Sequence, residues 1–116
     1  MKIAQVRSYA MSLPEVTEEP HFHYTSFRVK SKIFVTVPPE DTHIHVFVTD
    51  EEREMALALY PEFAEKLVWG SKVVGVRVAL ATAKAEMVNQ LVKQAWLRKA
   101  PKRLAASLLA AEDSVA

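Results

Sequence analysis

Residues 25–37 run Thr25-Ser26-Phe27-Arg28-Val29-Lys30-Ser31-Lys32-Ile33-Phe34-Val35-Thr36-Val37. Thr25, Phe27 and Val29 alternate with Ser26, Arg28 and Lys30, the period of a strand that buries one face. A turn at Lys30-Ser31-Lys32 leads directly into residues 33–37, so the two runs read as an antiparallel hairpin. After a loop at Pro38-Pro39-Glu40-Asp41, residues 43–48 form a third strand. It sets His43, His45 and Phe47 on one face and Ile44, Val46 and Val48 on the other.

Upstream of the hairpin, Ile3, Val6, Ala10 and Leu13 recur at helical spacing, and Pro14 closes that helix. The stretch Glu15-Val16-Thr17-Glu18-Glu19-Pro20 reads as an acidic loop. Downstream, Thr49 is a helix N-cap with Glu52 at the capping-box position. Pro61 starts a second short helix over residues 62–67, which Trp69-Gly70-Ser71 ends. A fourth strand follows over residues 73–80. Thr82 caps the longest helix, whose stripe is Met87, Val88, Leu91, Val92, Ala95 and Trp96. Pro101 interrupts it. Leu104, Leu108 and Leu109 mark a last helix, and the tail 110–116 is expected to fray.

The order α-β-β-β-α-α-β-α-α, with no strict β-α alternation, predicts an α+β fold: a single antiparallel sheet with helices packed on one face. The predicted core is Val6, Leu13, Phe27, Val29, Ile33, Val35, Leu57, Val76, Leu91, Ala95 and Trp96; Trp69, following Leu67-Val68, is assigned to the core as well. At 116 residues, half of them hydrophobic, the chain reads as one domain over residues 1–116. It has no cysteine, so disulfides, thiolate nucleophiles and Cys-ligated metals are excluded. No apolar run approaches the roughly 20 residues of a membrane span, and no signal-peptide pattern opens the chain. A cytoplasmic protein without membrane contact is expected.

The net charge of +1 hides an uneven distribution. Residues 1–65 hold six Lys/Arg against eleven Asp/Glu, and residues 66–116 hold nine against three. Two basic clusters stand out. Arg28, Lys30 and Lys32 lie on or beside the hairpin turn, and Arg98, Lys99, Lys102 and Arg103 flank Pro101. Phosphate neutralisation dominates nucleic-acid affinity, which makes these seven the candidate contacts. The competing reading is structural: cations suit a helix C-terminus, and edge lysines discourage aggregation.

All four histidines fall in His-x-His pairs, His21/His23 and His43/His45. Each pair can present two imidazoles on one side of an extended strand, but zinc needs three or four ligands. No metal site and no cofactor are expected. The acidic residues near position 50 suit the first turn of a helix. No base is set against a nucleophile in a hydrolase-like pattern, and the two glycines cannot build a phosphate-cradling loop. A non-enzymatic protein is expected.

Several segments resemble the MmcQ/YjbR family of bacterial proteins, in the family's order and over most of the chain, Leu13 to Leu104. Ser12-Leu13-Pro14-Glu15-Val16-Thr17-Glu18 resembles the loop after its first helix. Phe27-Arg28-Val29 with Lys32-Ile33-Phe34 resembles its first hairpin, and Trp69-Gly70 leading to Val74-Gly75-Val76-Arg77-Val78 its last strand. Gln94-Ala95-Trp96 and Ala100-Pro101-Lys102-Arg103-Leu104 are similar to its C-terminal signature. The sequence departs from the pattern at His21-Phe22-His23-Tyr24, where the family more often has a Gly-containing segment.

The resemblance implies a frataxin-like α+β sandwich and DNA binding through a double-wing arrangement. The expected partner is therefore DNA, contacted weakly and electrostatically. The alternative is a protein-interaction or small-ligand-binding adaptor that uses the sheet face bearing His43, His45 and Phe47. A monomer or weak homodimer is expected.

Overall fold

A computed structural model describes residues 1–115, with side chains through residue 113. The elements are α1 (Ile3–Ser12), β1 (Val16–His21), β2 (Tyr24–Val29), β3 (Lys32–Val37), β4 (His43–Val46), α2 (Asp50–Leu59), β5 (Ala64–Trp69), β6 (Lys72–Ala79), α3 (Ala85–Lys99) and α4 (Lys102–Val115). The strands form one antiparallel sheet in the order β1-β2-β3-β4-β6-β5. The fold is the expected α+β class, with two more strands and one fewer helix than the sequence pattern gave.

Both additional strands lie at sheet edges. Residues 16–21, read as an acidic loop, pair with β2 from Val16↔Val29 to His21↔Tyr24. An edge strand buries little: only Val16 is buried, so no alternation announces it. Pro20 is tolerated there because an outer strand can spare one amide.

Residues 64–69 pair with β6 instead of forming a helix. Glu62-Phe63-Ala64-Glu65-Lys66-Leu67 favours a helix locally, but β6 would otherwise leave its outer edge open. Gly70, at φ 62°, makes the tight turn that brings β5 back onto it. Pairing across the sheet overrides the local preference.

The predicted hairpin forms as β2–β3, and Lys30 and Ser31 both take positive φ in its two-residue turn (49° and 69°). Thr49 caps α2 as expected, its hydroxyl accepting from the Glu52 amide at 3.2 Å while Glu52 accepts from the Thr49 amide at 3.0 Å. Thr82 does not cap α3. Its hydroxyl donates to the Glu62 carbonyl at 3.0 Å, and Lys84 occupies the N-cap without a side-chain bond. Of the tail expected to fray, residues 110–115 continue α4, and Ala116 lies outside the described residues.

The core lies between the sheet and the helices. Val88, Leu91, Val92, Ala95 and Trp96 of α3 are buried with Phe27, Val35, Ile44, Val46, Val76 and Val78 of the sheet. Ile33 and Leu57, predicted as core, are only half-buried. The Trp96 indole donates to the Pro14 carbonyl at 3.2 Å, tying α3 to the end of α1. Gly75 is required on β6: a Cβ there would run into the carbonyl oxygen of Val46 on the neighbouring strand. No helix among the described residues is long and apolar enough to cross a membrane.

Candidate functional site

Among the described residues, the sheet has a second face that the helices leave uncovered. Ser26↔Thr36, Thr36↔His45, His45↔Arg77 and Arg77↔Glu65 are paired positions, so five polar side chains form one row across β2, β3, β4, β6 and β5. A polar row on an open face is ordinarily solvated. Instead Ser26 and Thr36 are fully buried and His45 is 5% exposed. The rings of Tyr24 and Trp69 flank the His45 imidazole at centroid distances of 5.9 and 6.3 Å, and Phe47 meets Trp69 edge-on at 5.2 Å.

Most of the row satisfies itself. The Ser26 hydroxyl donates to the Glu19 carbonyl (2.8 Å) and accepts from Arg28 Nε (2.9 Å), and Arg77 pairs with Glu65 at 3.1 Å. Thr36 Oγ1 and His45 Nδ1 are buried without a protein partner. Burying a polar group unpaired costs about 1–3 kcal/mol, so both atoms retain unused hydrogen-bonding capacity at the floor of this face. Burial first, then the charges of Arg77 and His43, push the His45 pKa down to about 4. At neutral pH the ring is uncharged, with one donor and one acceptor nitrogen.

Three adjoining hollows lie on this face, and Trp69 lines all of them. One of about 610 Å³ reaches from Phe47, Ile33 and Trp69 to Lys32, Arg98 and Lys99. A second, about 500 Å³, is lined by His45, Arg77 and Tyr24. The third, about 210 Å³, lies among Phe22, Tyr24, Thr36 and Trp69. Trp69, assigned to the core from its apolar neighbours, is 46% exposed at the tip of the β5–β6 hairpin. Phe22 is 90% exposed at the tip of the β1–β2 hairpin, with φ 57°. That conformation is ordinarily given to glycine, and a bulky aromatic there is strained.

The seven candidate basic residues separate into three groups. Lys32, Arg98 and Lys99 line the largest hollow, and none of the three forms an ion pair among the described residues. Arg98 donates to the Val48 carbonyl at 2.6 Å. The Lys99 pKa is lowered by burial and by the neighbouring charges of Arg98 and Lys32. Asp50 borders the same hollow, but its carboxylate pairs with Arg53 at 2.7 Å. Arg28 and Lys30 are tied down locally, Arg28 to Ser26 and the Pro20 carbonyl, and Lys30 to Glu15 at 2.6 Å. Lys102 and Arg103 are exposed in the first turn of α4, outside the residues lining the hollows.

Among the described residues, no three His, Asp or Glu side chains come together as a metal site. His43 is engaged with the Thr42 hydroxyl at 2.9 Å. Glu15, Glu18, Glu52 and Glu54 are each taken up by a cap or an ion pair. Sequence reasoning missed Phe22, Tyr24, Thr36 and Trp69 as site residues. The available signal was the placement of an aromatic residue at each of two hairpin tips, hidden because both outer strands went unread.

A search of curated proteins gives no significant match. Among solved structures, the chain is similar to the crystal structure of a Deinococcus radiodurans protein with the DUF419 domain. The TM-score is 0.71 at 22% identity, covering 83% of this chain and 76% of that one, which fixes the likeness at the level of the fold. The YjbR family model matches residues 11–98, from the end of α1 to the last turn of α3, and so spans every strand of the sheet and most of the residues lining its open face. On that match, this chain belongs to the YjbR family.

Proposed function

We propose that this protein binds DNA, without catalysis, at the border of the helix-free sheet face where Lys32, Arg98 and Lys99 meet. The observation that carries the reading is the convergence of Lys32 with Arg98 and Lys99 from two distant parts of the chain, with no carboxylate paired to them among the described residues, beside an aromatic hollow. Mutual repulsion of these charges is relieved when a phosphate binds between them, which gives an anion a differential advantage at this site. With few such contacts and no helix set to read base edges, binding is weak and insensitive to sequence. Dissociation constants of about 10⁻⁴–10⁻⁶ M at physiological salt are typical of that mode. Arg28, Lys30, Lys102 and Arg103 have at most a secondary part in this reading, since Lys30 is paired with Glu15 and none of the four lines the hollow. A cytoplasmic location accords with such a partner.

The test is a fluorescence-anisotropy titration over a salt series. Neutralising Lys32 and Lys99 together to Gln weakens binding and flattens the log–log salt slope by up to about two units. The Lys102/Arg103 double variant has a smaller effect. A Lys2/Lys84 control changes nothing, because Lys84 lies at the opposite end of α3, roughly 20 Å from Lys99. Equal losses from all three variants rule out the assigned site. The adaptor reading retains one favourable observation: His45 and Phe47 do line a concave, partly apolar face. A small anionic ligand there would bind without a steep salt slope.

A further inference from the structure

We infer that the hollow among Phe22, Tyr24, Thr36 and Trp69 receives an unpaired nucleobase, so that the protein prefers single-stranded to duplex nucleic acid. The inference rests on the phosphate-binding role proposed for Lys32, Arg98 and Lys99, and names the substrate class for that surface. Four observations carry it. Two aromatic side chains, Phe22 at the tip of the β1–β2 hairpin and Trp69 at the tip of the β5–β6 hairpin, stand exposed and line one hollow from the two edges of the sheet. Phe22 is held there in a backbone conformation that costs stability, the kind of strain that persists at ligand clamps. Thr36 lines the same hollow, and its hydroxyl, buried without a protein partner, is left with hydrogen-bonding capacity for the edge of a ring. Thr36 also lines the adjoining hollow that holds the three cations, so ring and phosphate sites are contiguous.

The size fits one ring system: about 210 Å³, below the roughly 300 Å³ at which pockets for drug-sized molecules begin. A duplex hides the faces of its bases in the stack, whereas a single strand offers each base to an aromatic platform. Charge complementarity with the phosphate backbone favours a nucleic-acid strand over an apolar peptide.

The experiment compares an oligothymidylate of about ten nucleotides, a usual site length for single-strand binders, with a hairpin duplex of equal charge at low salt. The expected result is tighter binding of the single strand, with quenching of the exposed Trp69 while buried Trp96 is silent. Phe22→Gly suits the local φ, so it should fold with an unchanged or raised melting temperature. It should nonetheless lose about five- to a hundredfold in single-strand affinity and leave the duplex unaffected. Equal affinity for both probes with no effect of Phe22→Gly overturns the inference. If the Lys32/Lys99 variant still weakens both probes, the phosphate-binding reading survives that result. Competition by thymidine monophosphate as effective as by the oligonucleotide overturns the inference in favour of a small-molecule site. No binding of either probe overturns both readings.

Discussion

His45 shows how position in the sheet changes the meaning of a residue. Its alternation with Ile44 and Val46 is correctly read as putting it on the face opposite the core. The alternation carries no information about Tyr24 and Trp69, which come from hairpins on either side and bury it. Its pKa of about 4 lies below the ordinary value near 6.5. As pH falls, the unfolded chain therefore takes up the proton first, and stability is lost between about pH 6.5 and 4. From pH 7.5 to 5.0 this one group should cost the wild type about 2 kcal/mol more than a His45→Gln variant. Urea denaturation of both proteins at the two pH values measures it. An equal loss in both would mean that the imidazole is not protected from protonation.

The turn residues tell a similar story on a smaller scale. Lys30 and Ser31 occupy positions where left-handed backbone is normally supplied by Asn-Gly. Ser31→Gly should raise stability by about 1 kcal/mol, read as a shift in the denaturation midpoint at constant slope.

At the level of elements, legibility followed burial. The longest helix was read from its stripe because α3 buries five side chains at helical spacing. Truncating Leu91 to Ala should cost about 2–5 kcal/mol on chemical denaturation. The β2–β3 hairpin was read because both strands are interior and carry β-branched or aromatic residues nearly throughout. The two edge strands were missed for the converse reason. β1 buries one residue, and β5 carries a locally helical sequence whose strand state is decided by the open edge of β6. Gly75 belongs to this level too. Its lack of a side chain permits the close approach of β6 to β4, and Gly75→Ala should destabilise by about 1–3 kcal/mol, as overpacking against backbone does. A neutral result on denaturation would show that the two strands can separate without cost.

Across the whole molecule, the functional surface is assembled from parts that are far apart in sequence. Lys32 follows the β2–β3 turn, Trp69 stands at the tip of the β5–β6 hairpin, and Lys99 closes the longest helix. The two basic clusters were visible as charge runs. Three of the seven residues meet at the groove, and the other four are tied locally or lie on α4. That division depends on where helix α3 ends against the sheet, which no local pattern encodes. The aromatic half of the surface was invisible for the same reason that β1 and β5 were: an edge hairpin discloses its tip only once its strands are known.

The central claim is that the helix-free face is the binding surface. It is tested most directly by an amide and indole chemical-shift titration with a short single-stranded oligonucleotide. The largest shifts should fall on Lys32, Thr36, His45 and Lys99 and on the indole N–H of Trp69. The Trp96 indole, bonded to Pro14 in the core, should stay in place. Shifts concentrated instead on α1 or on the exposed side of α4, with the Trp69 indole unmoved, would contradict the account.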